Sequence, residues 1–147
     1  AVFNTLLKNG ADVTLETNYG YTPLHLCAET DTHSFIPELV SRGANVNAQN
    51  SRGFSPLHAA ADLGNLDACL ELINHGADVN IVDLDGFTPL LGAVSSKNTA
   101  LVKLLLEKGA VKDIKAKVSY GNVAEGDDTL SLAEKLGNTE LLDLLRN

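Results

Sequence analysis

The chain has 147 residues, 44 % hydrophobic and 20 % charged, the balance of one folded soluble domain rather than of a disordered, collagenous or low-complexity chain. Acids outnumber bases 19 to 11, for a formal charge of −8, so a nucleic-acid partner, which calls for a basic surface, is not expected. No apolar run approaches the ~20 residues of a membrane helix, so membrane insertion is not expected either.

The first predicted element is a short apolar helix with Val2, Phe3, Leu6 and Leu7, stopped at Gly10-Ala11. A second helix starts at Thr22-Pro23-Leu24-His25. Threonine suits the N-cap, and proline the first turn, where its missing N–H costs nothing. Asp31-Thr32 makes the next turn, and Pro37 falls inside the following helix. A proline beyond the first turn predicts a kink or a late start there. That helix stops at Gly43-Ala44. The same order returns at Ser55-Pro56-Leu57-His58, Gly64-Asn65 and Gly76-Ala77. It returns again at Thr88-Pro89-Leu90-Leu91, Lys97 (in place of the turn glycine) and Gly109-Ala110. The last helix pair starts at Asp128-Thr129-Leu130-Ser131 and turns at Gly137-Asn138.

These markers share one period. The Gly-Ala pairs fall at Gly10, Gly43, Gly76 and Gly109, and the proline motifs and the tip glycines Gly20, Gly53 and Gly86 keep the same step. The second helix of each unit aligns in columns. One is Leu6, Leu39, Leu72, Leu105 and Leu145, and another Leu7, Val40, Ile73 and Leu106. Their neighbours Val2, Phe35, Ala68, Leu101 and Leu141, and Phe3, Ile36, Cys69, Val102 and Leu142, complete one helical stripe. Arg146 stands where the second column would continue, and a charge there has no following unit to pack against.

A turn, T-P-L-H, two antiparallel helices and a G-A-D-V-N loop, returning every ~33 residues, resemble the ankyrin repeat over essentially the whole chain. The resemblance implies an all-α solenoid of stacked helix–turn–helix repeats with β-turn fingers, forming one domain over residues 1–147. Residues 17–49, 50–82 and 83–115 would be full repeats. Residues 1–16 would end an earlier repeat, and 116–147 would be an altered C-terminal capping repeat. Exposed ends of such a stack need polar caps. The bare apolar first helix therefore leads us to expect at least one repeat or helix before residue 1. The absence of methionine likewise suggests a fragment or processed product. The cap motif after Thr88 is due at residue 121 and arrives at Asp128, seven residues late. The extra residues are expected between Ile114 and Gly126, as a longer finger over Lys115 to Glu125. It carries Tyr120, with Lys112, Lys115 and Lys117 nearby. Such an insertion can map to a binding face, or be a surface loop tolerated at small entropic cost.

Nothing selects a catalytic site, so no enzyme, cofactor or metal is expected. The glycines recur once per repeat rather than in a cluster, without a phosphate-loop lysine, and there is no nucleophile elbow or zinc-ligand set. The resemblance implies that His25 and His58 tie neighbouring repeats together by hydrogen bonds. His25 with Cys27 as a metal pair lacks a second cluster. Cys27 aligns with Ala60 and Ala93 and reads as filling a small buried slot, and Cys69 lies in an apolar column. His33 and His75 read as solvent-facing turn residues. Asn47 and Asn80, in an L-x6-V-N context, resemble targets of a cytosolic asparagine hydroxylase that uses iron and oxoglutarate. The competing reading gives each asparagine a loop hydrogen-bonding role within its repeat.

The family binds proteins with its finger tips and the concave face made by first helices. Carried over by position, the candidate partner-binding residues of the first full repeat are Asn18, Tyr19, Tyr21 and Glu29, with Thr30. The second gives Ser51, Arg52, Phe54, Asp62 and Leu63, and the third Leu84, Asp85, Phe87 and Ser95, with Ser96. Tyr120 joins them from the insertion. Aromatic residues often anchor interfaces. The column Tyr21, Phe54, Phe87 can instead pack between fingers. Residues 1–96 hold eleven acids and three bases, and residues 97–147 eight of each. The acidic part would favour a basic or mixed apolar–basic partner.

The leading expectation is a protein–protein interaction module without catalysis, a monomer or part of a larger chain. The alternative is a substrate-targeting or scaffold segment of a larger enzyme, channel or host-directed bacterial or viral effector. Two cysteines without a framework of spacings and no signal-peptide pattern point to a reducing compartment. That is the cytoplasm or nucleus, or a host cytosol for an effector.

Overall fold

A computed structural model describes residues 2–147, with side chains from Asn4 onward. The readings that rest on the Val2 and Phe3 side chains lie outside the described residues. The elements are α1 (Val2–Lys8), α2 (Pro23–Glu29), α3 (Ile36–Ser41), α4 (Pro56–Asp62) and α5 (Leu66–Asn74). They continue as α6 (Pro89–Ser95), α7 (Thr99–Glu107), α8 (Thr129–Leu136) and α9 (Thr139–Arg146), with no strand among the described residues. The chain is an all-α repeat solenoid.

Two helix layers build it. First helices α2, α4, α6 and α8 stack in order, as do second helices α3, α5, α7 and α9. Leu24, Leu57, Leu90 and Leu132 of the first layer meet Leu39, Leu72, Leu105 and Leu141 of the second, all essentially without exposure. Each such side chain contributes about 1.5–3 kcal/mol by leaving water.

Helix starts follow local chemistry. Prolines open α2, α4 and α6. Ser55 and Thr88 side chains accept the His58 and Leu91 amides. Asn65, Asn98 and Asn138 cap α5, α7 and α9 through the amides three residues on, each at 3.1 Å. The first full unit has Asp31-Thr32 in place of Gly-Asn. There the chain forms a 3₁₀ turn, His33–Phe35, and α3 starts late, with Pro37 in its first turn. Of the two outcomes open to Pro37, this is the one that wastes no backbone bond. Lys97 holds the turn that glycine holds elsewhere, at φ 57°.

One expectation agrees and one is corrected. Leu6 is 54 % exposed, in keeping with a bare first helix, whereas Leu39, Leu72, Leu105 and Leu145 of its column are buried. Leu7 is buried instead. The other second helices pack that column against a first helix of their own unit. His33 and His75 do not face solvent freely. Both are half-buried. His75 Nδ1 lies 2.8 Å from the Glu71 carbonyl, and His33 Nδ1 is enclosed without a hydrogen-bond partner among the described residues.

The fingers are joined tip to tip. The amides of Ser51, Leu84 and Lys117 donate to the carbonyls of Tyr19, Arg52 and Asp85, at 3.0, 3.0 and 2.8 Å. Gly53 shows why a tip needs glycine. Its φ is +76°, and a Cβ there would lie 2.9 Å from the Leu84 nitrogen. Lys115 and Ala116 keep the period, because Lys117 joins this ladder and Ala116 pairs with Asp127 as Asp83 pairs with Phe87. The seven extra residues therefore fall within 118–125, a narrower span than the expected one. They turn tightly at Gly121-Asn122, with reciprocal bonds between the Tyr120 and Val123 backbones. At the far end Arg146 is exposed and 3.2 Å from Glu134, while Lys112 Nζ donates to the Leu145 carbonyl at the end of α9.

Candidate functional site: the groove between fingers and first helices

At the base of each finger one polar side chain organises the turn. Asn50 Oδ1 accepts the amides of Arg52 and Phe54, and Asp83 Oδ1 those of Asp85 and Phe87. Thr17 Oγ1 does the same for Tyr19 and Tyr21. These bonds set the rings of Tyr21, Phe54 and Phe87 in register. All three are half-buried. Tyr21 lies 5.2 Å from the His25 ring, and Phe54 stacks at 5.2 Å on His58. The column thus packs within the stack and still offers its edges to solvent.

The histidines bridge neighbouring units. Nδ1 of His25 accepts the Thr22 amide and Nε2 donates to the Phe54 carbonyl at 2.9 Å. His58 repeats this between the Ser55 amide and the Phe87 carbonyl, at 3.0 Å. An acceptor at Nδ1 and a donor at Nε2 describe the neutral ring. Burial lowers both pKa values, against a smaller opposing effect of the carbonyl bonds. The third unit has Leu91 here, and the partner of Phe87 is instead Tyr120, edge to face at 6.1 Å.

The inserted hairpin folds back toward the first helices. Asn122 accepts from Ser95 Oγ at 2.6 Å and donates to the Ser95 carbonyl at 3.2 Å. Tyr120 is thereby carried over the groove while staying 71 % exposed. At the column's own position the fourth unit has Asp127, a buried carboxylate held by Lys135 at 2.6 Å and by the Ala124 amide.

A cleft of about 140 Å³ opens where these parts meet. Tyr21, Phe54, Phe87 and Tyr120 supply its rings, and Asp62, Asp83 and Asp85 its carboxylates. Arg52 is the one cation among its described lining residues, paired with Asp85 at 3.0 Å. Burial, and then the charge of Asp83, push the Asp62 pKa up. An adjoining cleft shares Asp62, Phe87 and Tyr120 and reaches Ser95 along α6. Gly92 leaves room there, since a Cβ would meet Asp62 Oδ1 at 2.9 Å.

Seven of the sequence-derived residues therefore share one cleft: Tyr21, Arg52, Phe54, Asp62, Asp85, Phe87 and Tyr120. Ser95 lines its neighbour. Asn18, Tyr19, Glu29, Ser51, Leu63 and Leu84 line neither cleft and are exposed; Tyr19 is 72 % and Leu84 67 % open. Sequence reading missed Asp83, Asn50 and Asn122. The first two hold the repeat position of Thr17, a signal that was available; Asn122 lies in aperiodic sequence. Asn47 and Asn80 bridge to the next loop. Their Oδ1 atoms accept the Asp78 and Val111 amides, and their Nδ2 atoms donate to the Gly76 and Gly109 carbonyls.

Cys27 and Cys69 are buried and unpaired with each other. Burial raises both thiol pKa values, that of Cys69 to about 12, far from a reactive thiolate. Among the described residues no group of three or more His, Cys, Asp or Glu side chains could hold a metal, and no helix is long and apolar enough to cross a membrane.

Stacked helix pairs joined by a finger ladder define a helical repeat protein. The family described as Ankyrin repeats (3 copies) matches residues 1–83 and again 32–118, so the chain belongs to the ankyrin repeat family. Ankyrin repeats generally act as protein-interaction modules. A comparison with curated proteins found no match.

Proposed function

We propose that this chain recognises a basic or mixed apolar–basic segment of a partner protein through its finger tips and first-helix face, without chemistry of its own. The observation that carries the reading is the cleft between fingers and helices, where four aromatic rings and three carboxylates meet one arginine. Exposed Tyr19, Leu63 and Leu84 extend apolar contact along the tips. The hydrogen-bonded ladder holds the surface in advance, so little ordering entropy is lost on binding. Two buried free thiols suit a reducing compartment. Asn47 and Asn80 remain candidate hydroxylation sites. Their amides already serve inter-repeat bonds, so peptide mass spectrometry of natively expressed protein should show a shift of about 16 Da on them only if modification tolerates those bonds.

The test is affinity capture with mass spectrometry from the native source, comparing wild type with the Tyr19→Ala/Leu84→Ala double mutant. Both side chains are exposed, so folding should stay cooperative. A partner should be lost selectively, with affinity down by more than tenfold, that is about 1.4 kcal/mol. Unchanged capture and affinity would refute the finger-tip assignment.

A further inference from the structure

We propose that the aromatic cleft is a seat for one lysine or arginine side chain of the partner, with Asp62 as its counter-ion. This rests on the interaction-module reading and deepens it. The rings come first. Phe54, Phe87 and Tyr120 wall the cleft, and Tyr120 comes from the inserted hairpin, which is tied to Ser95. Aromatic faces attract a cation through their quadrupole, most strongly where water is thinned. Tyr120 and Phe87 meet edge to face, a contact that covers one ring face and leaves the others uncovered by the pair.

The charges point the same way. The cleft carries three carboxylates and one guanidinium. Arg52 is spent on Asp85, at 3.0 Å. Asp83 is 8 % exposed, and only its Oδ1 is used, by the Asp85 and Phe87 amides; its Oδ2 accepts no hydrogen bond among the described residues. The Asp62 side chain makes no hydrogen bond or ion pair among the described residues, although its environment disfavours its charge. Arg52 also acts on Asp83 through its charge, which leaves Asp62 as the cleft carboxylate with no ion pair among the described residues, a place that an arriving cation can take. A long alkyl stem ending in a charge fits aromatic walls lined with carboxylates. The hairpin crosses to α6 at Ser95. A segment lying in the groove therefore meets a barrier there, and this end of the groove takes a side chain rather than a continuing backbone.

The test uses the full chain and three peptides, Leu-Gly-X-Gly-Leu, with lysine, arginine or norleucine at X. Binding is followed by amide shifts in ¹⁵N-labelled protein. We expect the lysine or arginine peptide to bind at least about tenfold tighter than norleucine, with shifts centred on Asp62, Asp83, Phe87 and Tyr120. Asp62→Asn and Tyr120→Ala should each remove that preference while leaving the thermal midpoint near wild type. Equal binding of the norleucine peptide, an unchanged preference in Asp62→Asn, or shifts located elsewhere would overturn the proposal. So would magnesium or calcium chloride alone producing the same shifts, since that marks an unselective acidic patch. A native partner lost from the Tyr19/Leu84 variant but kept by Asp62→Asn would sink the cation seat and spare the module reading. A partner kept by both would sink both.

Discussion

Replacing Gly53 by alanine tests whether the fingers stabilise the stack or merely decorate it. Gly53 sits at φ +76°, where an L-residue costs about 1–2 kcal/mol. Its new Cβ would also lie 2.9 Å from the Leu84 nitrogen and 3.1 Å from the Asp83 Cα. Both are backbone atoms and cannot rotate away. The next finger must move, and the Leu84 amide to Arg52 carbonyl bond, worth about 1 kcal/mol, is lost. Conformational cost and lost bond together come to about 2–3 kcal/mol. Gly76 provides the control. Its φ is +93°, yet nothing lies within 4 Å of an added Cβ, so Gly76→Ala should cost only the conformational part, about 1–2 kcal/mol. Urea unfolding of wild type and both variants would measure the difference, provided the slopes agree. Equal losses for the two variants would refute the argument, because the finger ladder would then carry no stability of its own. The Gly53 variant should also weaken partner binding, since the displaced finger carries Leu84, Asp85 and Phe87.

Other predictions follow from single features. Lys97→Gly should raise stability by about 0.5–1 kcal/mol in urea unfolding, because lysine occupies a left-handed φ of 57°. Leu72→Ala, at a fully buried side chain, should cost about 2–5 kcal/mol by the same assay. His25 and His58 have lowered pKa values in the folded chain, so the unfolded chain takes up protons first as pH falls. Their contribution is fully present above the unfolded pKa of about 6.5 and is lost progressively below it. Unfolding midpoints between pH 7.5 and 5.5 should fall, and the slope should shrink in a His25→Gln/His58→Gln variant.

The parts of this fold legible in sequence are those that backbone chemistry forces into a repeating position. A proline in a first turn, a glycine at positive φ and an asparagine before a helix each answer a local demand. That demand recurs once in every repeat, so it leaves a countable trace. The trace weakens where packing depends on what stands next door. Tyr21, Phe54 and Phe87 share one column, yet the ring partner of Phe87 is Tyr120 where Tyr21 and Phe54 have a histidine, because the third unit carries Leu91 at that place. His33 is a second case: the late start of α3 draws it partly inside.

The candidate site divides along the same line. Tyr21, Phe54 and Phe87 were visible as a column, and Asp62 and Asp85 as variable positions beside it. That they converge on one cleft depends on contacts between units, which no single repeat encodes. Tyr120 makes the point most clearly. Its own unit has Asp127 where the aromatic column would continue, and that carboxylate is turned inward to Lys135. The aromatic wall is restored from outside the period, by a hairpin whose placement rests on Asn122 and Ser95, 27 residues apart. A substitution in the column and an insertion beside it thus act together. Asp127 leaves the column without a ring there, and the insertion brings one beside it that remains 71 % exposed. Both readings of the insertion, a binding face and a tolerated loop, have to account for its bonds to α6 and its edge-to-face contact with Phe87. Asn122→Ala separates the cases. If the hairpin positions Tyr120, the variant should weaken binding of the lysine peptide nearly as much as Tyr120→Ala does. A tolerated loop would leave that binding unchanged.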